Sequence, residues 1–277
     1  MSQLTIRKLL IDLEPPLPRH WCNGDAFLTA WFNALSMSFP KGEQFFIDSV
    51  RSGFSALTAD SSVRFEDEVK GFIGQEATHR HIHAKFNAHL EKQGLHKGWE
   101  ARIERRQARL KQMNMLDTRH TLGITAANEH FTALFAHWLL THPSLLQDCE
   151  PRLRLLWEWH SAEESEHRCT AFDLYQALGG NHKWRTRWMR STTFFFLADV
   201  FRQTADNLRR DGTLWKWSTW RSAYRHLLSK QGLLRQTYAG WRAYFSPDFH
   251  PSRQSDEPSR RWLAENADSL KPVGASA

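Results

Sequence analysis

The chain has 277 residues, a formal net charge of +7 and 41% hydrophobic residues, which is enough for one large domain or for a core with a satellite. Its three cysteines, Cys22, Cys149 and Cys169, are too few and too scattered for a disulfide framework or a zinc motif. The N-terminus is charged and contains prolines where a signal peptide needs an apolar run. No segment approaches the roughly 18–20 apolar residues of a spanning helix, so we expect a cytoplasmic protein.

In chain order, residues 1–24 are predicted to form an extended leader that ends in a turn. A helix follows over 25–38, and Pro40 is expected to open a second one that ends at Gly53, because proline suits the first helical position. The next helix begins near Ser61 and ends near Gln93. Residues 96–117 read as a basic connector, and the remaining helices are predicted at 118–140, 151–178, 183–209, 214–230 and 233–245.

These elements predict an all-α protein with four parts. After the leader, residues 25–180 would fold as a ferritin-like four-helix bundle, and residues 181–250 as a basic, tryptophan-rich helical extension packed on it. The polar stretch that follows Pro251 has little apolar surface to bury. We therefore expect residues 251–277 to be a disordered tail.

The predicted bundle helices carry ionisable residues on faces that must be buried. At spacings of three and four, the third helix presents Phe65, Val69, Phe72, Glu76, His79, His83, Phe86 and Leu90, and the 151–178 helix presents Leu153, Trp157, His160, Glu164, His167, Ala171 and Leu174. Glu43 and Glu129 lie on the apolar faces of the other two helices. Because a buried carboxylate is costly without a cation or strong hydrogen bonds, these faces indicate a metal site.

The ligand spacing occurs twice. Glu76 with His79, and Glu164 with His167, are both Glu-x-x-His pairs, and Glu43 and Glu129 precede them by 33 and 35 residues. In a chain with 15 histidines, one such pair is expected by chance and is usually a solvated helix face. Two copies, each on an apolar stripe with an upstream glutamate, favour the four-carboxylate, two-histidine site of di-iron and di-manganese bundles.

Four segments carry a resemblance to a known family: FPKGEQFF (39–46), QEATHRHIHAKFN (75–87), WHSAEESEHRCTAFDLYQALGG (159–180) and YFSPDFHP (244–251). They are similar to a bacterial family catalogued as predicted metal-dependent hydrolases, over about residues 17–251. The ligand pattern alone also resembles that of the arylamine N-oxygenases, ferritin-like di-iron enzymes with His-x-x-x-Glu-x-x-His on the last core helix. Here that pattern is His160, Glu164 and His167.

The resemblance to ferritin-like sites implies a role for each ligand. Glu76 and Glu164 would bridge two ions, Glu43 and Glu129 would each bind one, and His79 and His167 would cap opposite sides. His160 would be a seventh ligand on the ion held by Glu164 and His167, and its alternative is a core histidine bonded to a carboxylate. Two iron ions are expected, with manganese or a mixed Mn/Fe pair as alternatives.

Three further residues are expected to lie around the ligands. His83, one turn beyond His79, is expected to line the cavity or to support a ligand. Glu163 and Gln75 are predicted to accept the second ring N–H of His79 and His167, respectively. The ordinary alternative for Glu163 is a solvated surface charge. We take His160, Glu163 and His83 as candidate catalytic residues.

The sequence is compatible with three functions. The leading one is a di-iron carboxylate enzyme that activates O₂ to oxidise a small organic substrate, as the N-oxygenase-like pattern implies. The first alternative is metal-dependent hydrolysis by a metal-activated water. The second is ferritin-like iron and oxygen detoxification, which the long C-terminal region disfavours.

The C-terminal region raises a separate hypothesis about partners. Between 181 and 245, tryptophans and arginines recur at helical spacing, which is typical of a membrane-surface element. The alternative is ordinary helices that cover the bundle, with half-buried tryptophans and solvated arginines. An electron-donor protein and a second copy of the chain are further candidate partners, and no nucleic-acid motif is present.

Overall fold

The computed structural model describes residues 4–114 and 117–273 and has the predicted all-α fold. Its elements, in chain order, are β1 (Arg7–Leu9), α1 (Ala26–Ser55), α2 (Ala59–Lys92), α3 (Gly98–Gln112), α4 (Thr118–Thr141), α5 (Pro151–His167), α6 (Thr170–Ala177), α7 (His182–Arg210), α8 (Trp217–Ala223), α9 (Leu233–Ala243), α10 (Glu257–Glu265) and β2 (Leu270–Pro272). No helix among the described residues is both long and apolar enough to cross a bilayer.

The helices that carry the predicted ligands pack as two pairs. Helix α1 lies along α2, α4 lies along α5, and α1 also contacts α4, which closes the four-helix arrangement. Helix α7 packs against α1 and α4. Every residue of the two predicted stripes is buried, as their helical spacing requires.

Pro40 does not open a helix, as the sequence predicted; it lies inside α1, which runs unbroken through it. Proline has no N–H, so the carbonyl of Ser36, four residues earlier, loses its helical donor. The side chain of Asn87 replaces that donor, because its Nδ2 donates to the Ser36 carbonyl oxygen at 2.9 Å. A side chain of α2 therefore satisfies the gap that Pro40 leaves in α1.

The helix predicted over 151–178 is interrupted just after the ligands. Helix α5 ends at His167, and α6 resumes at Thr170. The interruption contains Arg168, whose buried guanidinium donates to the backbone carbonyls of Pro251 and Gln254. At the point where the helix is interrupted, these hydrogen bonds attach residues 251–254 to the bundle.

The basic connector predicted at 96–117 is largely helical as α3, and residues 115–116 lie outside the described residues. The basic composition suggested a solvated connector, but two of the arginines of α3 pair with a buried acid on α7. Arg102 and Arg106 both form ion pairs with Asp199. The backbone N–H of Trp99 donates to Gln203, also on α7.

The expected disorder of the tail is wrong for residues 251–273. Within that stretch, α10 packs on α5, where Trp262 donates to Glu158 at 3.0 Å and Ser259 donates to the Ala162 carbonyl at 2.6 Å. Strand β2 then pairs antiparallel with β1. Residues 274–277 of the predicted tail lie outside the described residues. The polar composition of the tail gave no indication that Trp262 would be buried or that β2 would pair with β1, far away in the sequence.

The N-terminal segment lies directly against α2. The approach requires glycine at position 71, because a Cβ there would lie 2.5 Å from the Cβ of Leu4 and 3.0 Å from its carbonyl oxygen. A Cβ on Gly74 would instead displace the side chain of Ile6. The paired strands are therefore held beside the middle of α2, where the predicted ligands begin.

Candidate metal centre

The seven predicted ligands converge in the middle of the four-helix arrangement. Their side chains come from α1 (Glu43), α2 (Glu76, His79), α4 (Glu129) and α5 (His160, Glu164, His167). None is more than 4% exposed. Glu43 and Glu164 are 121 positions apart in the sequence, yet oxygens of both lie within 4 Å of Nε2 of His160.

The ligand atoms define two positions that share two glutamates. At the first, called here the His167 position, Nε2 of His167 lies 3.3 Å from oxygens of Glu76 and Glu129 and 3.5 Å from Glu164. The second, the His79 position, gathers Glu43, Glu76 and His79 in one group, and His79, His160 and Glu164 in another. Ligand atoms within each group lie within 4.8 Å of one another. Glu76 and Glu164 thus contribute to both positions.

His160 lies at the opposite position from the one predicted. The sequence placed it with His167, but its ring stacks on His79 with the centroids 4.3 Å apart. Its Nε2 is 2.8 Å from Glu164 and 3.9 Å from Glu43. The i,i+4 relation to Glu164 was correct, but Glu164 faces both positions, so helical spacing alone could not select one. The His79 position consequently has two imidazoles and the His167 position has one.

Burial and mutual interaction shift the pKa values of the clustered ligands. Burial, followed by repulsion from Glu164, raises the pKa of Glu43 and Glu129 well above the usual carboxyl range, and the pKa of Glu76 is raised for the same reasons. Glu164 behaves in the opposite way: although burial opposes ionisation, His167 and His160 hold its pKa well below the usual value. Burial lowers the pKa of His79, which favours the neutral imidazole that metals bind.

The hydrogen bonding of the ligand atoms shows whether these residues fit metal ions. Nine of them are fully buried and have no hydrogen-bond partner among the described residues: both oxygens of Glu43, Glu76 and Glu129, Nδ1 of His79, Oε2 of Glu164 and Nε2 of His167. Such atoms are costly unless something binds them. Carboxylate oxygens and neutral imidazole nitrogens are the donors that iron and manganese take in carboxylate bundles, so the residues fit two such ions.

Two outer contacts determine which nitrogen each histidine presents. Nε2 of His79 bonds to Glu163 at 2.9 Å, and Nδ1 of His167 bonds to Gln75 at 3.0 Å, the two contacts expected from the sequence. His79 therefore turns Nδ1 towards the glutamate ligands, whereas His167 turns Nε2 towards them. Glu163 is fully buried, so its alternative assignment as a solvated surface charge is wrong.

The N-terminal segment completes this outer layer. Arg7, on β1, donates to Glu163 at 3.0 Å and to Glu166 at 2.7 Å. Gln75 in turn donates to Glu166 at 2.9 Å. The supports of His79 and His167 are therefore joined through one arginine and one glutamate. Burial raises the pKa of Glu163 to about 8, and Arg7 opposes that rise.

His83 belongs to a hydrogen-bonded chain that sets the proton positions on His160. Asn87 must direct its NH₂ to the Ser36 carbonyl, so its oxygen faces the Ser36 hydroxyl and accepts from it at 2.7 Å. The Ser36 oxygen is then free to accept from Nδ1 of His83, 2.9 Å away. A neutral His83 accepts at Nε2 from Nδ1 of His160, at 2.6 Å.

This chain leaves the lone pair of His160 on Nε2, the nitrogen that faces Glu164 and the His79 position. Two electron-rich atoms 2.8 Å apart repel unless a cation lies beside them. A metal ion at the His79 position would supply that positive charge, as a proton between His160 and Glu164 does where no ion is bound. His83 lies close to Glu43 and His160, but both of its ring nitrogens are engaged in hydrogen bonds in this arrangement, to Ser36 and to His160.

Four residues of the outer layer were missed from the sequence: Arg7, Ser36, Asn87 and Glu166. Arg7 stands in a segment with no helical periodicity, and nothing there points to a site more than 150 residues away. A weak signal existed for Asn87, which lies one turn after His83 on the same stripe.

Comparisons with known proteins give one match. A family model described as "Predicted metal-dependent hydrolase" matches residues 5–255. No curated protein and no solved structure matches the chain.

Proposed function

The chain belongs to the family of predicted metal-dependent hydrolases, and we propose that it is a two-metal enzyme that uses a pair of iron ions to activate O₂ and oxidise a small organic substrate. Manganese, alone or paired with iron, is the alternative metal. The observation that carries the proposal is the sharing of Glu76 and Glu164 between two buried positions. When bound there, a pair of redox-active ions supplies electrons to O₂.

Several features of the chain support redox chemistry at this site. Four carboxylates offset the charge of oxidised metal ions, and carboxylate-rich bundles of this type hold di-iron and di-manganese centres. Apolar rings enclose the histidines: Phe39 and Trp157 pack against His160, and Trp159 packs against His79. Such walls exclude water from reactive species.

The residues around the ligands have distinct roles in this proposal. Glu163 holds the Nε2 proton of His79, and Gln75 accepts the Nδ1 proton of His167, so each ring keeps one lone pair for a metal. The chain from Asn87 to His83 does the same for His160. The extra nitrogen makes the two positions unequal, so the ion at the His79 position would differ from its neighbour in how readily it engages O₂.

Hydrolysis is the second candidate, and the family's description favours it. Two ions that share carboxylates can also bind and activate a water molecule. The same ligands would serve, with no change of metal oxidation state. The two candidates therefore differ in whether O₂ is consumed and in which substrate bonds are broken.

Anaerobic reconstitution separates the candidates. Metal-free full-length protein is titrated with Fe(II), its bound iron is counted, and O₂ is then admitted while its concentration and the visible absorption are recorded. We expect two iron ions per chain and O₂ consumption faster than that of the same Fe(II) in buffer. The Glu76→Ala and Glu164→Ala variants are the controls. Saturation at one iron, or two irons with no O₂ consumption but hydrolysis of chromogenic esters, would overturn the oxidative proposal.

A further inference from the structure

An exposed aromatic face follows α7 and is called here the α8 face. It consists of Trp215 (87% exposed), Trp217 (80%), Trp220 (51%), Tyr224 (63%) and Leu228 (53%). Large apolar side chains at this exposure, grouped in one short segment, mark an interaction site. Ordinary packing accounts for other tryptophans of the region, such as Trp188, which is buried, but not for these.

The face has a regular geometry. Trp217, Trp220, Tyr224 and Leu228 are separated by three or four residues, so they share one side of α8 and of the turn that continues it. The other side is fixed to the protein. Leu227 is buried, the Thr219 hydroxyl donates to the Thr213 carbonyl, and the Ser222 hydroxyl donates to Asp25 at 2.6 Å. This anchoring holds the aromatic side outward.

Within the segment itself the charges have a single sign, and the carboxylate of Asp25 lies on its anchored side. From residue 212 to residue 247 the chain contains six arginines and lysines and no aspartate or glutamate. Four of the cations, Lys216, Arg221, Arg225 and Lys230, are exposed and lie within or beside the face. A segment that carries exposed tryptophans and only basic charges complements an anionic surface that also accepts apolar rings.

We propose that the α8 face binds the surface of an anionic lipid membrane. Tryptophan and tyrosine rings favour the headgroup region of a bilayer, where one side of the ring is apolar and the other wet. Lysine and arginine beside them are attracted to acidic headgroups within about 10 Å at moderate ionic strength. The protein would lie on the membrane through this face, with α8 parallel to the surface.

Vesicle sedimentation tests the proposal on the full-length protein. The protein is mixed with vesicles of phosphatidylcholine alone or with added phosphatidylserine, at low and high salt. We expect recovery with the anionic vesicles only, and loss of binding at high salt. The Arg221→Gln/Arg225→Gln variant should reduce partitioning roughly 30-fold, since each cation near an anionic surface contributes roughly fivefold. Trp217→Ala/Trp220→Ala should also lose binding.

The matched control is Arg260→Gln/Arg261→Gln, which removes the same charge from exposed positions on α10. It should retain binding, because those arginines lie outside the face. Equal recovery with neutral and anionic vesicles would overturn the proposal, as would equal loss in the control variant. So would a dimer, seen by sedimentation velocity without lipid, that the tryptophan substitutions dissociate. Circular dichroism shows whether each variant folds, and none of these results depends on the metal chemistry.

Discussion

Replacing Ser36 with alanine separates the positioning of His160 from the stability of the fold. The Ser36 hydroxyl accepts from Nδ1 of His83 and donates to Asn87. Without it, the His83 Nδ1 proton has no acceptor, and the ring can move that proton to Nε2. Nε2 would then donate to Nδ1 of His160, and His160 would carry its own proton on the nitrogen that faces the metal position. A protonated nitrogen cannot bind a metal ion.

The loss of metal affinity can be estimated from the buried Nδ1–H group of His83. All members of the chain are buried, and leaving a buried donor unpaired costs about 1–3 kcal/mol. To bind a metal through His160, the Ser36→Ala variant would have to leave the Nδ1 proton of His83 buried and unpaired. The ion at the His79 position should therefore bind roughly 5–150-fold more weakly, in line with the 10–100-fold losses typical when supports of metal histidines are removed. The His167 position is supported by Gln75 and should keep its affinity.

Ser38→Ala is the matched control. It removes the same group two residues away on the same helix, where the hydroxyl donates only to the Leu35 carbonyl at 2.7 Å. Metal-free proteins are titrated anaerobically with Fe(II) against a competing chelator, and the tautomers of the histidine rings are read from long-range ¹H–¹⁵N spectra of the metal-free forms. We expect one weakened ion and a changed His160 tautomer in Ser36→Ala alone. Equal affinities and spectra in the two variants would refute the reasoning.

Three further predictions test the site. Glu76→Ala should abolish binding of both ions by metal analysis, because Glu76 contributes to both positions, whereas Glu43→Ala should leave one ion bound; one ion lost in each would show that Glu76 does not bridge. His160→Ala should keep the fold and most of the metal, as judged by circular dichroism and metal analysis, but lose O₂ consumption; unchanged activity would make His160 only a supporting residue. Glu163→Leu should weaken one ion about 10–100-fold while Gln75→Leu weakens the other, because each removes the hydrogen-bond acceptor of a different histidine; two equal losses in either variant would contradict separate supports.

The sequence alone indicated which segments of the bundle are helical and which ionisable residues lie on their buried faces, because both depend on local spacing. A residue three or four positions along a helix must lie on the same face, so Glu76 with His79, and Glu164 with His167, could be assigned to one buried surface each. The repetition of the motif made chance implausible. The same local logic identified Glu163 and Gln75, each of which immediately precedes one of the two glutamates shared by both positions.

Contacts between distant segments were decided by the tertiary structure. Pro40 could be read only as a helix start, because the donor that makes it tolerable, Asn87, belongs to another helix. The tail looked disordered because its partners, Glu158 and strand β1, lie far away in the sequence.

The placement of His160 shows most clearly what helical spacing does not determine. Helical spacing ties it to Glu164, but Glu164 faces both metal positions, and only the packing of α5 against α2 brings the His160 ring onto His79. The proton on that ring depends on a chain that runs through α2 to Ser36 on α1. Periodicity determines which face of a helix a residue occupies. Which neighbour it meets there depends on how the helices are rotated and shifted against one another, and that is determined by packing over the whole core.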